Sequence, residues 1–339
     1  MQVYHNACIH KHKETLQVST LYDQSKDTFR PIQYFKEGSE KPFYLPVSKH
    51  SSIKQSGSIN ILENEAYLVT YSRDNLFHAF FNAVPYYLTW KRLQLNISST
   101  FFVPYLTEKQ CLAKCNGWQM ILSTLLNENN YYTSVQRTEH MFTNSNVICF
   151  RKIYSSRIPW WPDARNFTNL RNQIPLIQKF KHSILYHHNL QSDIIKYGLV
   201  FINREKSRSI HNFDDVCTVA KKYFTTSICT SFDNLDLRQQ LTYVSSASGL
   251  AGVHGQALTH IAFMPSNRVR CFVLEIIPSS MRNTHAFFDY YRLAVMNNVS
   301  LHRYKENVDI QCQNAHFRTC GNMSINTLSF SKKLKEIIS

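Results

Sequence analysis

The chain has 339 residues, which exceeds the ~250–300 residues over which one hydrophobic core usually extends, so two domains are expected. Hydrophobic residues make up 43% of the chain and aromatic residues 13%, which excludes disorder over most of its length. The net charge is +15, but the basic residues are scattered along the chain. We interpret this charge first as a solvated surface, second as a site for a phosphorylated small molecule, and last as nucleic-acid binding. We therefore expect no nucleic-acid partner.

The apolar runs fall well short of the ~20 residues that a membrane-spanning helix needs. The opening residues, MQVYHNACIHKHKE, are polar and lack the apolar stretch of a signal peptide. We expect any membrane anchor to lie outside these 339 residues. Four Asn-x-Ser/Thr sites, at Asn96, Asn166, Asn298 and Asn322, are compatible with secretion and also with chance.

Nine cysteines leave at least one thiol unpaired when the others form disulfides. Cys312, His316 and Cys320 are spaced four residues apart and could face one way on a helix to hold zinc. No fourth ligand is evident, so we favour disulfides or free thiols and expect no metal site.

Strands and helices alternate in the first half of the chain after residue 60, which predicts a parallel sheet covered by helices. Residues 1–60 contain Pro31, Pro42 and Pro46 and show little periodicity, so we expect an irregular segment there. The predicted strands cover 65–71, 99–104 and 147–154, and the predicted helices cover 76–92 and 111–127. The next segment, 156–175, contains three prolines and Trp160-Trp161 and is interpreted as a connector between domains.

A second alternation follows this connector and a helix predicted over 176–188, and it indicates a doubly wound α/β domain. Asp214 and Asp215 fall in the first turn of one predicted helix, where carboxylates suit the helix dipole. The predicted strands cover 198–204, 225–230, 249–253 and 268–277, and the predicted helices cover 212–224, 235–247 and 256–264.

The stretch GLAGVHG, residues 249–255, holds three of the eight glycines in the chain at a predicted strand-to-helix junction. Glycine there permits a tight turn or a close approach of a ligand to the backbone. The start of the next helix offers unpaired N–H groups, which suit an anion. The alternative is a tight turn without a ligand. The spacing differs from the phosphate-binding P-loop and from the dinucleotide fingerprint.

Three blocks of sequence resemble glycosyltransferase family 61, which includes plant xylosyltransferases, EGF-domain O-GlcNAc transferases and O-mannose N-acetylglucosaminyltransferases. The first block is GVHGQALTH (252–260), followed by FMP (263–265) and EIIP (275–278), which is similar to the family's Gly-x-His-Gly-Ala-Gly-Leu-Thr-Asn, Phe-x-Pro and Glu-Ile-x-Pro. The second is a strand followed by Arg204 and Arg208. The third is NLFHAFFNAVP (75–85), which resembles Asn-x-x-His-x-x-x-Asp-x-x-Pro.

The resemblance implies a GT-B fold, in which two Rossmann-like domains face each other across a ligand cleft. We expect an N-terminal, acceptor-side domain over 1–175 and a C-terminal domain over 176–310 that binds the nucleotide-sugar. Residues 311–339 would form a tail that packs back on the first domain. The implied activity is inverting, metal-independent transfer of a sugar, GlcNAc or xylose, from a UDP-sugar to a glycan or glycoprotein hydroxyl. The implied location is the lumen of the Golgi or endoplasmic reticulum.

The resemblance also implies which residues carry the chemistry. His78 is the predicted general base, with Asp74 as the second candidate. No cofactor is expected beside the donor. The residues predicted to bind the nucleotide-sugar all lie in the second domain; they are Arg204, Arg208, Gly252, His254, Gly255, Leu258, Thr259 and Glu275.

Each of these residues also has a structural interpretation. The arginines could solvate a loop, and His78 could be a structural, hydrogen-bonded histidine. His254 could be a buried ring that orients the turn, and Glu275 could be a helix-capping or salt-bridged carboxylate. The chain departs from the family's pattern with Asn82 in place of Asp, with Asn203 in place of Ser, and with His260 in place of Asn. The alternative function is therefore that of a catalytically inactive relative that binds nucleotide-sugar or glycan.

Overall fold

The computed structural model divides into two compact units, Met1–Trp161 and Pro162–Ser339. No helix within the described part of the chain is both long enough and apolar enough to cross a membrane. The structure describes residues 2–12, 15–20, 32–35, 42–45, 47–49, 59–69, 100–104, 147–155, 167–190, 194–205, 208–266, 270–278, 289–305, 307–308 and 322–339.

The first unit contains a six-stranded sheet of order β5-β2-β1-β8-β6-β7 and a separate pair, β3 with β4. β6 runs parallel to both β7 and β8, as the sequence predicts, whereas β1 is antiparallel to β2 and β8. The strands are β1 (Gln2–His12), β2 (Thr15–Thr20), β3 (Ile32–Phe35), β4 (Pro42–Leu45), β5 (Val47–Lys49), β6 (Ile59–Val69), β7 (Thr100–Pro104) and β8 (Val147–Ser155).

The second unit is built on a five-stranded, wholly parallel sheet of order β10-β9-β11-β12-β13. This confirms a Rossmann-like α/β arrangement for the second half of the chain. The chain moves outward from β9 to β10 and then returns to the other side of β9 to form β11. The strands are β9 (Leu199–Asn203), β10 (Ser227–Ser231), β11 (Gly249–Val253), β12 (Phe272–Ile276) and β13 (Ser300–Tyr304), with a short pair of β14 (Asn307–Val308) and β15 (Ser324–Ile325).

Helices and one long 3₁₀ segment connect the strands of the second unit. Helices α2 and α5 pack against each other and share a buried cluster with Phe201 and Leu274 of the sheet. Helices α1 and α4 pack against each other and against the 3₁₀ segment. The elements are α1 (Phe167–His187), α2 (Phe213–Tyr223), α3 (Leu237–Val244), the 3₁₀ segment (Gln256–Phe263), α4 (Asp289–Met296) and α5 (Thr327–Ile338).

Local sequence explains where two of these helices begin and end. Helix α2 carries Asp214 and Asp215 in its first turn and Lys221 and Lys222 in its last, and each pair complements the helix dipole. Helix α3 begins with a capping box, in which the Asp236 side chain accepts from the N–H of Gln239 and the Gln239 side chain accepts from the N–H of Asp236. The predicted helices at 212–224 and 235–247 are thereby confirmed.

Residues 1–60, expected to be irregular, contain strands β1 to β5 and the start of β6. Three predicted elements of the second unit also differ from the structure. Helix α1 begins at Phe167 and contains Pro175, whereas the sequence predicts a connector up to residue 175, because proline usually ends a helix. Residues Gln256–Phe263 form a 3₁₀ helix instead of an α-helix. Strand β12 covers only Phe272–Ile276 of the predicted 268–277. Helix α4, strand β13 and helix α5 lie in a region where the sequence indicated no elements.

A disulfide joins Cys217 of α2 to Cys229 of β10, with a Cα–Cα distance of 6.2 Å. Cys217 is buried in the cluster that α2, α5 and the sheet form together. The bond therefore ties an outer strand of the sheet to the helix that covers it.

Candidate functional site

The turn predicted to bind an anion lies at the carboxyl end of β11, beside the carboxyl end of β9. The order of the strands reverses between these two neighbours, since β10 lies on one side of β9 and β11 on the other. In open α/β sheets, ligands bind in the crevice outside the carboxyl ends of the strands at such a reversal. Arg204 follows β9 directly, and His254 and Gly255 follow β11.

The two predicted arginines lie around Gly255. A Cβ atom added to Gly255 would overlap Nη1 of Arg204 and would lie 3.6 Å from Nη2 of Arg208. The guanidinium of Arg204 therefore occupies the space that any larger residue at position 255 would fill. This close approach is the physical reason for glycine at position 255 of the turn.

Arg208 also holds the turn through the backbone. Its Nη1 donates to the carbonyl oxygen of His254 at 2.7 Å. Its φ of 56° lies in the left-handed region, which non-glycine residues seldom occupy and which costs of order 1 kcal/mol or more. The surrounding contacts thus hold this loop in a conformation that places two guanidinium groups at one turn.

Arg204 is partly buried, and this burial lowers the pKa of its guanidinium, while Tyr290 and Asp233 oppose that effect. Asp233 follows β10 and accepts from the N–H of Glu205 at 3.1 Å. The cation at position 204 is therefore incompletely solvated in the free protein. A partly desolvated guanidinium binds an anion with less loss of hydration.

His254 and Glu275 form a buried pair. Nδ1 of His254 lies 2.6 Å from Oε1 of Glu275, and Nε of Arg303 donates to Oε2 of the same carboxylate at 3.0 Å. Glu275 is fully buried, and the side chain of Arg303 is 20% exposed. A carboxylate only accepts hydrogen bonds, so the proton between His254 and Glu275 belongs to Nδ1.

Tyr290 of α4 completes the surroundings of His254. Its ring meets the imidazole edge-on, with centroids 4.8 Å apart and planes at 71°. Its hydroxyl donates to the carbonyl oxygen of Gly255. The imidazole is thus held by a carboxylate on one side and by an aromatic ring on another.

The remaining predicted residues of this unit lie within the strand or in the buried 3₁₀ segment. Gly252 lies within β11, and Leu258 and Thr259 lie in the 3₁₀ segment with fully buried side chains. The Thr259 hydroxyl has no hydrogen-bond partner among the described residues. His260, next in the chain, is also buried, and desolvation lowers its pKa to about 4. Its Nδ1 therefore donates to the carbonyl of Ala257, at 2.9 Å, as a neutral imidazole.

The structure thus brings together Arg204, Arg208, His254, Gly255 and Glu275 at the carboxyl end of one sheet. His78 and Asp74, the predicted bases, lie outside the described residues, as does the Cys312, His316 and Cys320 group. Within the described ranges, no three His, Cys, Asp or Glu side chains are grouped closely enough to hold a metal ion.

Sequence reasoning missed Arg303, Tyr290 and Asp233. Arg303 could have been found from strand pairing, because β13 lies beside β12 and sets Arg303 opposite Glu275. That inference requires strand β13, which the sequence did not indicate. Tyr290 carries no comparable signal, since its role follows from how α4 packs.

The family model Glycosyltransferase 61 matches residues 76–271, more than half of the chain. The matched region includes His78, both arginines and the turn around Gly255, whereas Glu275 and Asp74 lie just outside it. No curated protein gives a significant match. On this evidence, the chain belongs to glycosyltransferase family 61 and is a glycosyltransferase.

Proposed function

We propose that this protein is an inverting, metal-independent transferase that moves a sugar, GlcNAc or xylose, from a UDP-sugar to a hydroxyl of a glycan or glycoprotein. The observation that carries the proposal is the placement of two guanidinium groups around Gly255, where the strand order reverses. The donor supplies its own leaving group, so no cofactor is required beside it.

The positive charge around Gly255 suits a diphosphate. Guanidinium groups bind phosphate oxygens in a bidentate manner, and these charge-assisted bonds are stronger than neutral ones. Arg204 and Arg208 supply two such groups beside a turn with little side-chain bulk. The pyrophosphate of a nucleotide-sugar would therefore lie against the two guanidinium groups that surround Gly255.

The same two cations support a mechanism without a metal. During transfer, the bond between C1 of the sugar and the phosphate oxygen breaks, and its electron pair stays on UDP. Preorganised positive groups stabilise such developing charge. Arg204, Arg208 and, when protonated, His254 would fill the role that a divalent cation fills elsewhere.

The acceptor side of the reaction belongs to the first unit. The acceptor oxygen forms its bond to C1 on the face opposite UDP, which inverts the configuration, and its proton passes to a general base. His78 is the proposed base and Asp74 the alternative, both from the resemblance to the family. This assignment implies a GT-B arrangement with the two sites facing each other across a cleft.

The buried disulfide supports a location in the secretory pathway. Disulfides persist in oxidising compartments and are rare in the cytosol. The Cys217–Cys229 bond therefore fits the lumen of the endoplasmic reticulum or Golgi, where glycoprotein acceptors are found.

Calorimetric titration of UDP into the metal-free protein, with a chelator present, tests the donor site. We expect saturable binding, and we expect Arg204→Ala to weaken it by roughly 10- to 100-fold, because a charged hydrogen-bonded pair contributes about 1.5–3 kcal/mol. The matched control is Arg238→Ala, which removes an exposed arginine from α3. No UDP binding by the folded protein, or equal binding by Arg204→Ala, would contradict the proposed site.

The presence of Asn82 where the family has Asp favours one competing function, that of a relative that binds donor without transferring it. Mass spectrometry of reactions with UDP-GlcNAc or UDP-xylose over a panel of glycan acceptors separates the two. Product formation that requires Arg204 supports the transferase. UDP binding without turnover on any acceptor supports the non-catalytic relative.

A further inference from the structure

Strands β13, β12 and β11 are neighbours in the sheet, and they place Arg303, Glu275 and His254 side by side. Register pairing sets Arg303 of β13 opposite Glu275 of β12. The N–H of His254, which follows β11, donates to the carbonyl of Ile276 at 2.9 Å. The three side chains are then joined by the 3.0 Å and 2.6 Å contacts on the two oxygens of Glu275.

Glu275 is the fully buried residue of these three, and its carboxylate depends on its partners. A buried charge that loses its counter-charge is strongly destabilised and tends to take up a proton. Arg303 binds Oε2, which leaves Oε1 to accept from His254. With this cation in place, Glu275 stays an acceptor, and Nδ1 of the imidazole keeps its proton.

The other ring nitrogen of His254 is the one left for a ligand. The hydrogen bond that the His254 ring forms with Glu275 is made through Nδ1. The Tyr290 ring fixes the plane of the imidazole. The backbone carbonyl of His254 receives Arg208, one of the arginines beside Gly255. Nε2 therefore belongs to the same turn as the two guanidinium groups.

We propose that Arg303 is a positioning residue. By binding Glu275, it fixes the orientation of His254, so that Nδ1 donates to Glu275 and Nε2 is the nitrogen that interacts with the departing phosphate. The second part rests on the proposed function. Arg303 itself touches neither donor nor acceptor in this scheme, and its effect passes through His254.

The variants separate charge from shape. Arg303→Met retains an unbranched side chain up to the position of Nε and removes the charge, whereas Arg303→Lys retains a cation with a single nitrogen as donor. Arg238→Met on α3 is the exposed control. We expect Arg303→Met to lower kcat roughly tenfold or more with a smaller change in the KM for the donor, because misplacement of a group acting on the leaving oxygen affects the transition state most. Arg303→Lys should restore part of kcat.

A double-mutant cycle tests whether Arg303 acts through His254. In a His254→Ala background, Arg303→Met should change kcat less than about twofold, because the group that it positions is already gone. An equal loss of kcat from Arg303→Met in both backgrounds would overturn the proposal. So would a loss of thermal stability in Arg303→Met with an unchanged kcat of the folded enzyme.

An NMR measurement on the ligand-free protein keeps this inference apart from the proposed function. Ring ¹⁵N shifts of His254, assigned through the His254→Ala variant, should show the proton on Nδ1 in the wild type and a changed protonation pattern in Arg303→Met. Identical shifts in both proteins would overturn the positioning role, even for an enzyme that binds UDP. The expected change in shifts together with no UDP binding would support the positioning role and contradict the proposed function instead.

Discussion

The two ends of the parallel sheet in the second unit are built from different chemistry. At the amino end, neutral groups satisfy one another: the N–H of Gly198 donates to the Thr226 hydroxyl at 2.8 Å, and the Ser248 hydroxyl donates to the carbonyl of Gly198 at 2.9 Å. At the carboxyl end, the polar contacts involve charged side chains, among them Arg204 and Glu275. The same five strands therefore end in neutral, mutually hydrogen-bonded groups on one side and in a site with charged side chains on the other.

This contrast indicates that the residues that stabilise the fold and the residues that bind ligand lie at opposite ends of the sheet. Neutral contacts at the amino end carry no excess charge that a ligand could neutralise. The carboxyl end holds the partly buried guanidinium of Arg204, which can bind an anion with less loss of hydration. Substitutions at the amino end should therefore change the free energy of unfolding, while most substitutions at the carboxyl end should change binding.

The largest expected effect on the free energy of unfolding comes from His260, which lies beyond the carboxyl end of β11. It is an exception to the rule that substitutions at this end change binding. The folded pKa is about 4, below the value of about 6.5 for an unfolded histidine. Protons therefore bind the unfolded chain preferentially, and stability falls as pH decreases from 6.5 to 4, by about 3 kcal/mol in total. Urea unfolding at several pH values should show that His260→Asn removes this part of the pH dependence. An unchanged pH dependence in the variant would contradict a neutral, buried His260.

Gly249→Ala should produce the next largest effect, at the amino end of β11. The added methyl group would overlap the Phe272 ring and would lie 2.9 Å from the carbonyl oxygen of Gly198. Overpacking of this kind costs about 1–3 kcal/mol. Urea unfolding should show that loss with UDP affinity of the folded protein unchanged, and Phe272→Leu in the same chain should recover part of it. A loss of UDP affinity without a loss of stability would break the proposed separation of the two ends.

Gly255→Ala, just past the other end of the same strand, should have the smallest effect on unfolding and a clear effect on binding. Its methyl group meets the end of the Arg204 side chain, which can move aside. We expect stability within about 0.5 kcal/mol of the wild type. Displacement of the guanidinium should weaken UDP binding about tenfold or more, as measured by calorimetry. Wild-type affinity in Gly255→Ala would show that Arg204 is not a ligand of the diphosphate.

The sequence was sufficient for the parts of this unit that local patterns determine. The alternation of strand and helix segments predicted strands β9 to β12 and helices α2 and α3, and Asp214 and Asp215 suited the first turn of α2. The cluster of glycines around His254 predicted the turn, and its neighbours Arg204 and Arg208 came from the resemblance to the family. These features depend on residues close together in the chain.

The parts that the sequence did not predict depend on packing between distant segments. Strand β13, with sequence SLHRY, has no marked apolar run, and it is a strand because it pairs with the buried β12. Pro175 suggested a break, but α1 continues through it and packs on α4. Arg303 was missed for the same reason, since its pairing with Glu275 exists only once β13 is in place.

The disulfide between α2 and β10 has a consequence for how this sheet opens. β10 is an outer strand, and outer strands with few covering contacts are common starting points for local opening. The covalent link to Cys217 means that β10 cannot leave the sheet without disturbing α2 and the helix α5 that packs on it. In hydrogen–deuterium exchange, the amides of β10 and α2 should then exchange together in the oxidised protein, and a reductant should release β10 to exchange ahead of the helix.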